Sequence, residues 1–393
     1  MTTQVEGTPA TMPRPLEELS ARAEAVPGER FIYIAGPNTP MGGGMFKVAE
    51  YLVQSQQGGS AGPVLRMLET RGGGSSLLSP LYLAKAIAEL VRAKRSGRLA
   101  GVHVNVAERM SLVRKGALIA ACRMLEVPVV LHLHAAQLHH TYRALPAPAQ
   151  ALVRRMFAMP ASCVVLGKGA AEFVAHELKV PAERIEIVIN GVPEPKATRR
   201  AAMPAVPHVV FLGNLSERKG VSDLLRALNH PVLSDRQLRL TLAGGGDVEK
   251  YAALAHELGV SDRVEFKGWA DPAAVGRLLS QADLLVLPSY DEGLPLAILE
   301  GLAHGVAVVC TPVGEIPHVL TDGVNASFVQ PGDSAGIARA IARVLGDPGL
   351  REQLERNGKA LHQELFSLER FSTSVASIHQ RHFGTSGRAA AQD

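Results

Sequence analysis

Aliphatic and β-branched residues fall along this chain in short unbroken runs, and between the runs apolar positions recur every third or fourth residue. Unbroken runs suit strands covered on both faces, and the wider spacing suits helices lying on those strands. In the first half, strands are expected at 31–35, 64–67, 101–105, 127–134, 162–166 and 185–189, with helices at 45–56, 80–95, 112–125, 147–157 and 168–178. In the second half, strands are expected at 209–213, 238–243, 264–266, 282–288, 306–310 and 326–329, with helices between them. Such alternation predicts parallel sheets joined by crossover helices.

The series breaks once. Asn190-Gly191-Val192-Pro193-Glu194-Pro195 opens a stretch without periodicity that reaches 207 and reads as an interdomain linker. A length of 393 residues is too great for one comfortable core, so two doubly wound, Rossmann-like α/β domains are expected at 31–190 and 208–367. A last helix is expected at 368–383, after a polar, flexible extension at 1–30 and before a disordered tail at 384–393. With 4% aromatic residues, 38 Gly and 25 Pro, the composition favours tight strand-to-helix turns over a sandwich or a bundle. Ligands of such sheets bind beyond the carboxyl ends of the strands, where Gly42 to Gly44, Gly213, Gly244 to Gly246 and Gly293 stand.

A net charge of +4 is too mild to imply a nucleic-acid partner. Local charge says more. Residues 91–155 carry eleven basic side chains against Glu108 and Glu126, and Arg154 and Arg155 sit within Leu152-Val153-Arg154-Arg155-Met156-Phe157. That mixture suits either peripheral contact with an anionic membrane or a plain solvated helix face. No apolar run is long enough to span a bilayer, and residues 1–30 lack the apolar core of a signal peptide. Cys122, Cys163 and Cys310 lie in apolar segments without C-x-x-C spacing, which points to buried thiols in a reducing compartment, hence a cytoplasmic chain.

The richest segment is Ser289-Tyr290-Asp291-Glu292-Gly293-Leu294-Pro295-Leu296-Ala297-Ile298-Leu299-Glu300. It follows the apolar run Leu284-Leu285-Val286-Leu287, and Pro295 fits the first turn of a following helix. Amides of Gly293 and Leu294 would then face an anion at the helix start. Eight helical steps would separate Glu292 from Glu300 by roughly 12 Å. A pair of glycosidase carboxylates sits about 5 to 9.5 Å apart, so these two more plausibly hold different parts of one elongated ligand.

With its flanks, P-S-Y-D-E-G-L-P-L-A-I-L-E-G-L-A-H-G-V-A-V-V, the segment resembles the E-x7-E signature of retaining glycosyltransferases of family 4, which have the GT-B fold. The resemblance runs from about 31 to 383 and is strongest between 208 and 332, including Thr311-Pro312-Val313-Gly314-Glu315-Ile316-Pro317. It implies two Rossmann-like domains facing across a cleft, an acceptor domain first and a nucleotide-sugar donor domain second, with helix 368–383 crossing back to the first. Gly213-Asn214-Leu215-Ser216-Glu217-Arg218-Lys219-Gly220 is similar to the family's G-R-L-x-x-x-K-G element. Lys219 then becomes the diphosphate ligand. Asn214 stands where the family has arginine, leaving either Arg218 or a neutral Asn214 hydrogen bond in its place.

In the same resemblance His134, which ends Leu131-His132-Leu133-His134, meets the transferred sugar, with His132 as a core histidine or a second contact. The glycine loop at 39–44, including Gly43 and Gly44, would approach a phosphate or sugar, or act as a flexible turn. Gly244 to Gly246 and Lys267-Gly268-Trp269 would lie near the nucleotide, with Trp269 flanking the base or anchoring structure. His139 and His140 raise zinc, but no soft fourth ligand and no H-E-x-x-H pattern accompanies them, and no cofactor or metal is expected. The implied activity is transfer of a hexose, with retention and without metal, from GDP-mannose or a UDP-hexose. The implied acceptor is a lipid-linked or other oligosaccharide of bacterial exopolysaccharide or lipopolysaccharide synthesis. A sugar-nucleotide epimerase of the same fold, or a non-catalytic sugar-binding module, are the alternatives. A nicotinamide-binding domain is disfavoured by the lack of G-x-G-x-x-G after the first strand.

Overall fold

The computed structural model describes residues 30–37, 43–55, 63–72, 78–196 and 203–384. The expected extension at 1–29, the tail at 385–393, residues 38–42 of the glycine loop and residues 197–202 of the linker lie outside the described residues.

The first half runs β1 (Phe31–Gly36), α1 (Gly43–Ser55), β2 (Val64–Glu69), α2 (Ser79–Arg95), β3 (Leu99–Val106), α3 (Met110–Met124), β4 (Val129–Leu133), α4 (Leu138–Arg143), α5 (Ala147–Ala158), β5 (Ser162–Val165), α6 (Lys168–His176) and β6 (Ile185–Ile187). The second runs β7 (His208–Leu212), α7 (Val221–Leu228), α8 (Pro231–Ser234), β8 (Arg239–Ala243), α9 (Val248–Glu257), β9 (Val264–Gly268), α10 (Pro272–Gln281), β10 (Leu284–Leu287), α11 (Leu296–Ala303), β11 (Ala307–Cys310), α12 (Ile316–Val319) and β12 (Ser327–Phe328). Helices α13 (Ser334–Gly346), α14 (Pro348–Leu361) and α15 (Leu368–Phe383) close the chain, the last two joined by a π-helical turn.

Two six-stranded sheets result, ordered β2-β1-β3-β4-β5-β6 and β12-β11-β10-β7-β8-β9, with every pairing parallel. Strand order therefore reverses between β1 and β3 in one sheet and between β7 and β10 in the other. Crevices for ligands open at such reversals, beyond the carboxyl ends of the strands. Strands of this kind need apolar residues on both faces, and β4, β7, β10 and β11 are buried along their whole length.

Helix α15 crosses back and packs on α1 and β4 of the first sheet. Phe383 lies where a side chain on Gly101 would stand, so only glycine in β3 lets the helix seat so closely. The outgoing and returning chains meet at Val192, whose amide donates to Phe366 O (2.9 Å) and whose carbonyl accepts from Leu368 N (3.1 Å). The start of the aperiodic linker is thus pinned, because a polar backbone leaving a sheet needs hydrogen-bond partners of its own.

Candidate active site

Loops after the two strands that flank the second reversal form the centre of the site. The loop after β7 carries Asn214, Arg218 and Lys219, and the loop after β10 carries Ser289, Asp291 and Glu292. Tyr290 N donates to Arg218 O at 2.8 Å, tying the two loops backbone to backbone. Gly220 adopts φ 69°, and a Cβ there would run into the Pro288 carbonyl, so the turn that presents Lys219 can approach β10 only with glycine.

Glu292 is buried, and three groups hold its carboxylate. Lys219 Nζ forms a short ion pair with Oε1, the Ser289 hydroxyl donates to the same oxygen at 2.7 Å, and Arg218 Nη1 lies 3.9 Å from Oε2. Arg218, the expected stand-in for the family arginine, also donates to Asp291 O at 2.7 Å, so its head is tied to the loop that carries Glu292. Asn214 is exposed at the same rim, near Gly245. A buried carboxylate needs such partners, because an unpaired one would cost several kcal/mol. The cluster offers a carboxylate for hydroxyl groups and a lysine for an anion within one contact.

Helix α11 begins at Leu296, with Pro295 as the extended residue before it, and Glu292 lies three residues further back in the loop. The helical rise between Glu292 and Glu300 therefore does not apply as expected, since only the second glutamate is on the helix. Gly293 accepts from Glu315 N at 3.0 Å, and Leu294 is buried against the core. Glu300, on the second turn of α11, meets the other domain: Lys47 Nζ lies 2.8 Å and the Tyr51 hydroxyl 3.0 Å from its Oε1. Burial, with the Glu300 carboxylate beside it, raises the Tyr51 phenol far above its ordinary value, so Tyr51 remains a donor.

Across the crevice, His134 follows β4 and faces Gly293, where a Cβ would sit 4.0 Å from His134 O. His134 Nε2 donates to Asn105 Oδ1 at 3.0 Å, leaving Nδ1 as the lone-pair nitrogen. Burial pulls the His134 pKa down to about 3, with His103 adding to it. Behind it runs a chain of buried imidazoles: His132 Nδ1 is 3.2 Å from His103 Nε2, and His103 Nδ1 is 2.8 Å from His379 Nε2 on α15. His132 is thus a core residue. Gly43 adopts φ 63°, and a Cβ on Gly44 would lie 3.8 Å from Leu296 Cδ1, which puts the start of α1 against the start of α11.

Glu315 also crosses between domains. Its carboxylate accepts from Ala170 N (2.8 Å) and Gly169 N (3.3 Å) in the first turn of α6. Lys47, Tyr51 and Asn105 carry no signal in the sequence beyond their place near a strand end or on an amphipathic helix, and Glu315 lies within the Thr311 to Pro317 motif without an expected role of its own. Trp269 stands half-exposed at the end of edge strand β9, two strands from β7. The His139 and His140 rings lie 4.0 Å apart, tilted by 40°, and among the described residues no group of three or more His, Cys, Asp or Glu is arranged to hold a metal ion.

The basic stretch 91–155 is less available than its count suggests. Lys115 is buried on Thr70 (2.6 Å), Arg154 donates to the Tyr142 hydroxyl (2.6 Å), and Arg143 forks onto Glu177. Arg92, Lys94, Arg95, Arg109, Arg123 and Arg155 remain exposed, together with an apolar stripe on α3, with Met110 at 63%, Val113 at 63% and Met124 at 85%, beside Leu152 on α5 at 69%. Arg123, Arg155 and Arg184 line a surface cavity of about 460 Å³ next to it. Among the described residues no helix is long and apolar enough to cross a membrane.

Residues 201–361 match the family of glycosyl transferases group 1. An uncharacterized glycosyltransferase of Methanocaldococcus jannaschii is 28% identical over 235 residues, 56% of this chain and 60% of that protein. A lipopolysaccharide core biosynthesis glycosyltransferase of Rhizobium meliloti is 36% identical over 163 residues, 42% of this chain and 46% of that protein. The chain therefore spans about half to three fifths of these relatives. Among solved structures, sucrose-phosphate synthase from Thermosynechococcus elongatus superposes with a TM-score of 0.72 at 18% identity, covering 91% of this chain and 100% of that one. Anabaena HepE in complex with UDP and glucose superposes at 0.70 and 17%, covering 90% and 100%. The fold is GT-B, as the sequence resemblance implied.

Proposed function

Because residues 201–361 carry a glycosyl transferases group 1 domain within a GT-B fold, we propose that the chain is a retaining, metal-independent glycosyltransferase that moves a hexose from a nucleotide-sugar to an oligosaccharide. The observation that carries this is the pairing of Lys219 with Glu292 at the reversal between β7 and β10. A nucleoside diphosphate sugar presents hydroxyls and a diphosphate about one residue-length apart, and this pair answers both. Lys219 and the loop amides of Gly293 and Leu294, which precede α11 rather than start it, take the diphosphate, Glu292 takes hydroxyls of the donor sugar, Glu300 takes the ribose, and His134 contacts the sugar from the first domain.

In the reaction, the bond between the sugar C1 and the phosphate oxygen breaks as the acceptor oxygen bonds C1 on the same face. The acceptor proton passes to the departing phosphate oxygen. Lys219 stabilises the negative charge that builds on the diphosphate, and Glu292 leaves its lysine partner for the sugar as donor enters. Closure of the two domains keeps water out of the crevice.

GDP-mannose is the first donor to test. The solved complex of HepE with UDP and glucose favours a UDP-hexose as the second. The Rhizobium relative, named for lipopolysaccharide core synthesis, favours a lipid-linked acceptor, and the exposed apolar stripe on α3 beside Arg123 and Arg155 would rest on an anionic cytoplasmic membrane surface. Two assays test the proposal. Thermal stabilisation by GDP or UDP should vanish in Lys219→Ala, and Glu292→Ala should cut transfer more than tenfold while remaining folded. Full activity in Glu292→Ala would overturn the assignment.

A further inference from the structure

Glu300 belongs to the second domain, yet its protein partners come from the first. Helix α1 meets α11 with Gly44 against Leu296 and with Lys47 and Tyr51 on Glu300. Positions 44, 47 and 51 follow one another at helical spacing, so one stripe of α1 serves the whole contact. Both donors converge on Oε1, and among the described residues no protein donor engages Oε2. The contact is charged and nearly closed to water, with Glu300 and Tyr51 buried and the Lys47 side chain 22% exposed.

We propose that Lys47 and Tyr51 are specificity-determining residues of the nucleotide site: from across the crevice they fix the Glu300 carboxylate so that Oε2 accepts a ribose hydroxyl of the donor. This rests on the glycosyltransferase reading above. Two donors on one oxygen remove the rotation that would let a carboxylate adapt to a ligand lacking that hydroxyl. A site built to bond a hydroxyl penalises the analogue without it, because the buried acceptor is then left unpaired. The amino-terminal domain thereby reads the nucleoside as well as the acceptor side, and nucleotide binding links the two domains through one carboxylate.

The test is titration calorimetry on the full chain, comparing UDP and GDP with their 2′-deoxy and 3′-deoxy forms, for wild type, Tyr51→Phe and Lys47→Met. Wild type should prefer one ribonucleotide over at least one deoxy form by about tenfold. Tyr51→Phe and Lys47→Met should bring that ratio below about threefold, with unliganded melting temperatures within a few degrees of wild type. Lys47→Gln serves if either variant fails to fold. Unchanged discrimination in the variants, with wild type discriminating, overturns the proposal. Wild type that binds none of these nucleotides overturns the glycosyltransferase reading itself.

Discussion

Gly314 packs its Cα onto the carbonyl of Glu292, so closely that a Cβ there would run into the oxygen. It also adopts φ 59°, a conformation that side chains tolerate poorly. The loop after β11 thus supports the loop that carries the central carboxylate, with Thr311 Oγ1 donating to Ser289 O (2.5 Å) and Glu315 N to Gly293 O (3.0 Å). Gly314→Ala should displace both loops. Expected are a fall in stability of about 2 kcal/mol or more from strain and clash, and loss of transfer activity beyond that of the unfolded fraction. Urea denaturation and an activity assay at equal folded concentration check it, and a variant with wild-type kinetics would show that Glu292 needs no such support.

Buried imidazoles make stability depend on pH in one direction. His103 and His134 are held at about 4 and about 3 by burial, and burial also pulls His132 and His379 well below their ordinary value. The unfolded chain protonates these groups near pH 6.5. Below that pH the unfolded state binds more protons than the native one, so stability is whole above about 6.5 and is lost as pH falls toward the native values. Each group steepens the loss by about 1.4 kcal/mol per pH unit at most. Urea midpoints should be flat from pH 8 to 7 and drop sharply between 6 and 5. Replacing His103 with Gln should make that drop shallower, whereas a midpoint unchanged down to pH 5 would show that the four rings are protonated without cost.

Arg109 caps α3 with φ 54° and ψ −125°, a conformation in which only glycine is at ease. It stands at the carboxyl end of β3, beside the first reversal, and next to Glu108, whose carboxylate accepts from Gln137 N at 2.7 Å. Strain at such a place is a reason to test whether the guanidinium serves the acceptor of the proposed reaction. Arg109→Gly should therefore raise stability by about 1 kcal/mol or more and raise the KM for acceptor while leaving nucleotide affinity unchanged. A more stable variant with an unaltered KM would separate the strain from function.

Much of this was legible in the chain because parallel strands announce themselves. The consecutive Leu284, Leu285, Val286 and Leu287 are β10, shorter than the expected 282–288, with Asp283 Oδ2 accepting from the His208 amide (2.7 Å) just before it and Pro288, which has no amide hydrogen, just after it. Helix α4 is not foreseen: its six residues are too few to show a period, and Leu138 and Tyr142 alone anchor it. In the site, Lys219, Glu292 and His134 sit just past strand ends, where pattern and topology coincide. Lys47 and Tyr51 lie on an ordinary amphipathic helix, and only the approach of α1 to α11 gives their positions meaning. Glu315 is legible as part of a motif but not as a cap on α6, because its partners are backbone amides 145 and 146 residues away.

Return of the chain to the first domain depends on how α15 seats. Phe371, Val375, Ile378 and Phe383 are buried along one face, and Phe383 stacks on His379 with ring centroids 5.2 Å apart while pressing on Gly101. Phe383 is buried at the last turn of the helix, so its removal leaves a cavity. Phe383→Ala should cost about 3 kcal/mol, the size expected for a buried aromatic truncated to Ala. Gly101→Ala should cost a similar amount by pushing the same ring away, and the double variant should cost less than the sum, since the space Phe383 vacates accepts the new methyl. A double-mutant cycle in urea measures that coupling. Strict additivity would mean that α15 does not rest on β3 through this contact, and the docking of the return helix would then have to come from Phe371, Val375 and Ile378.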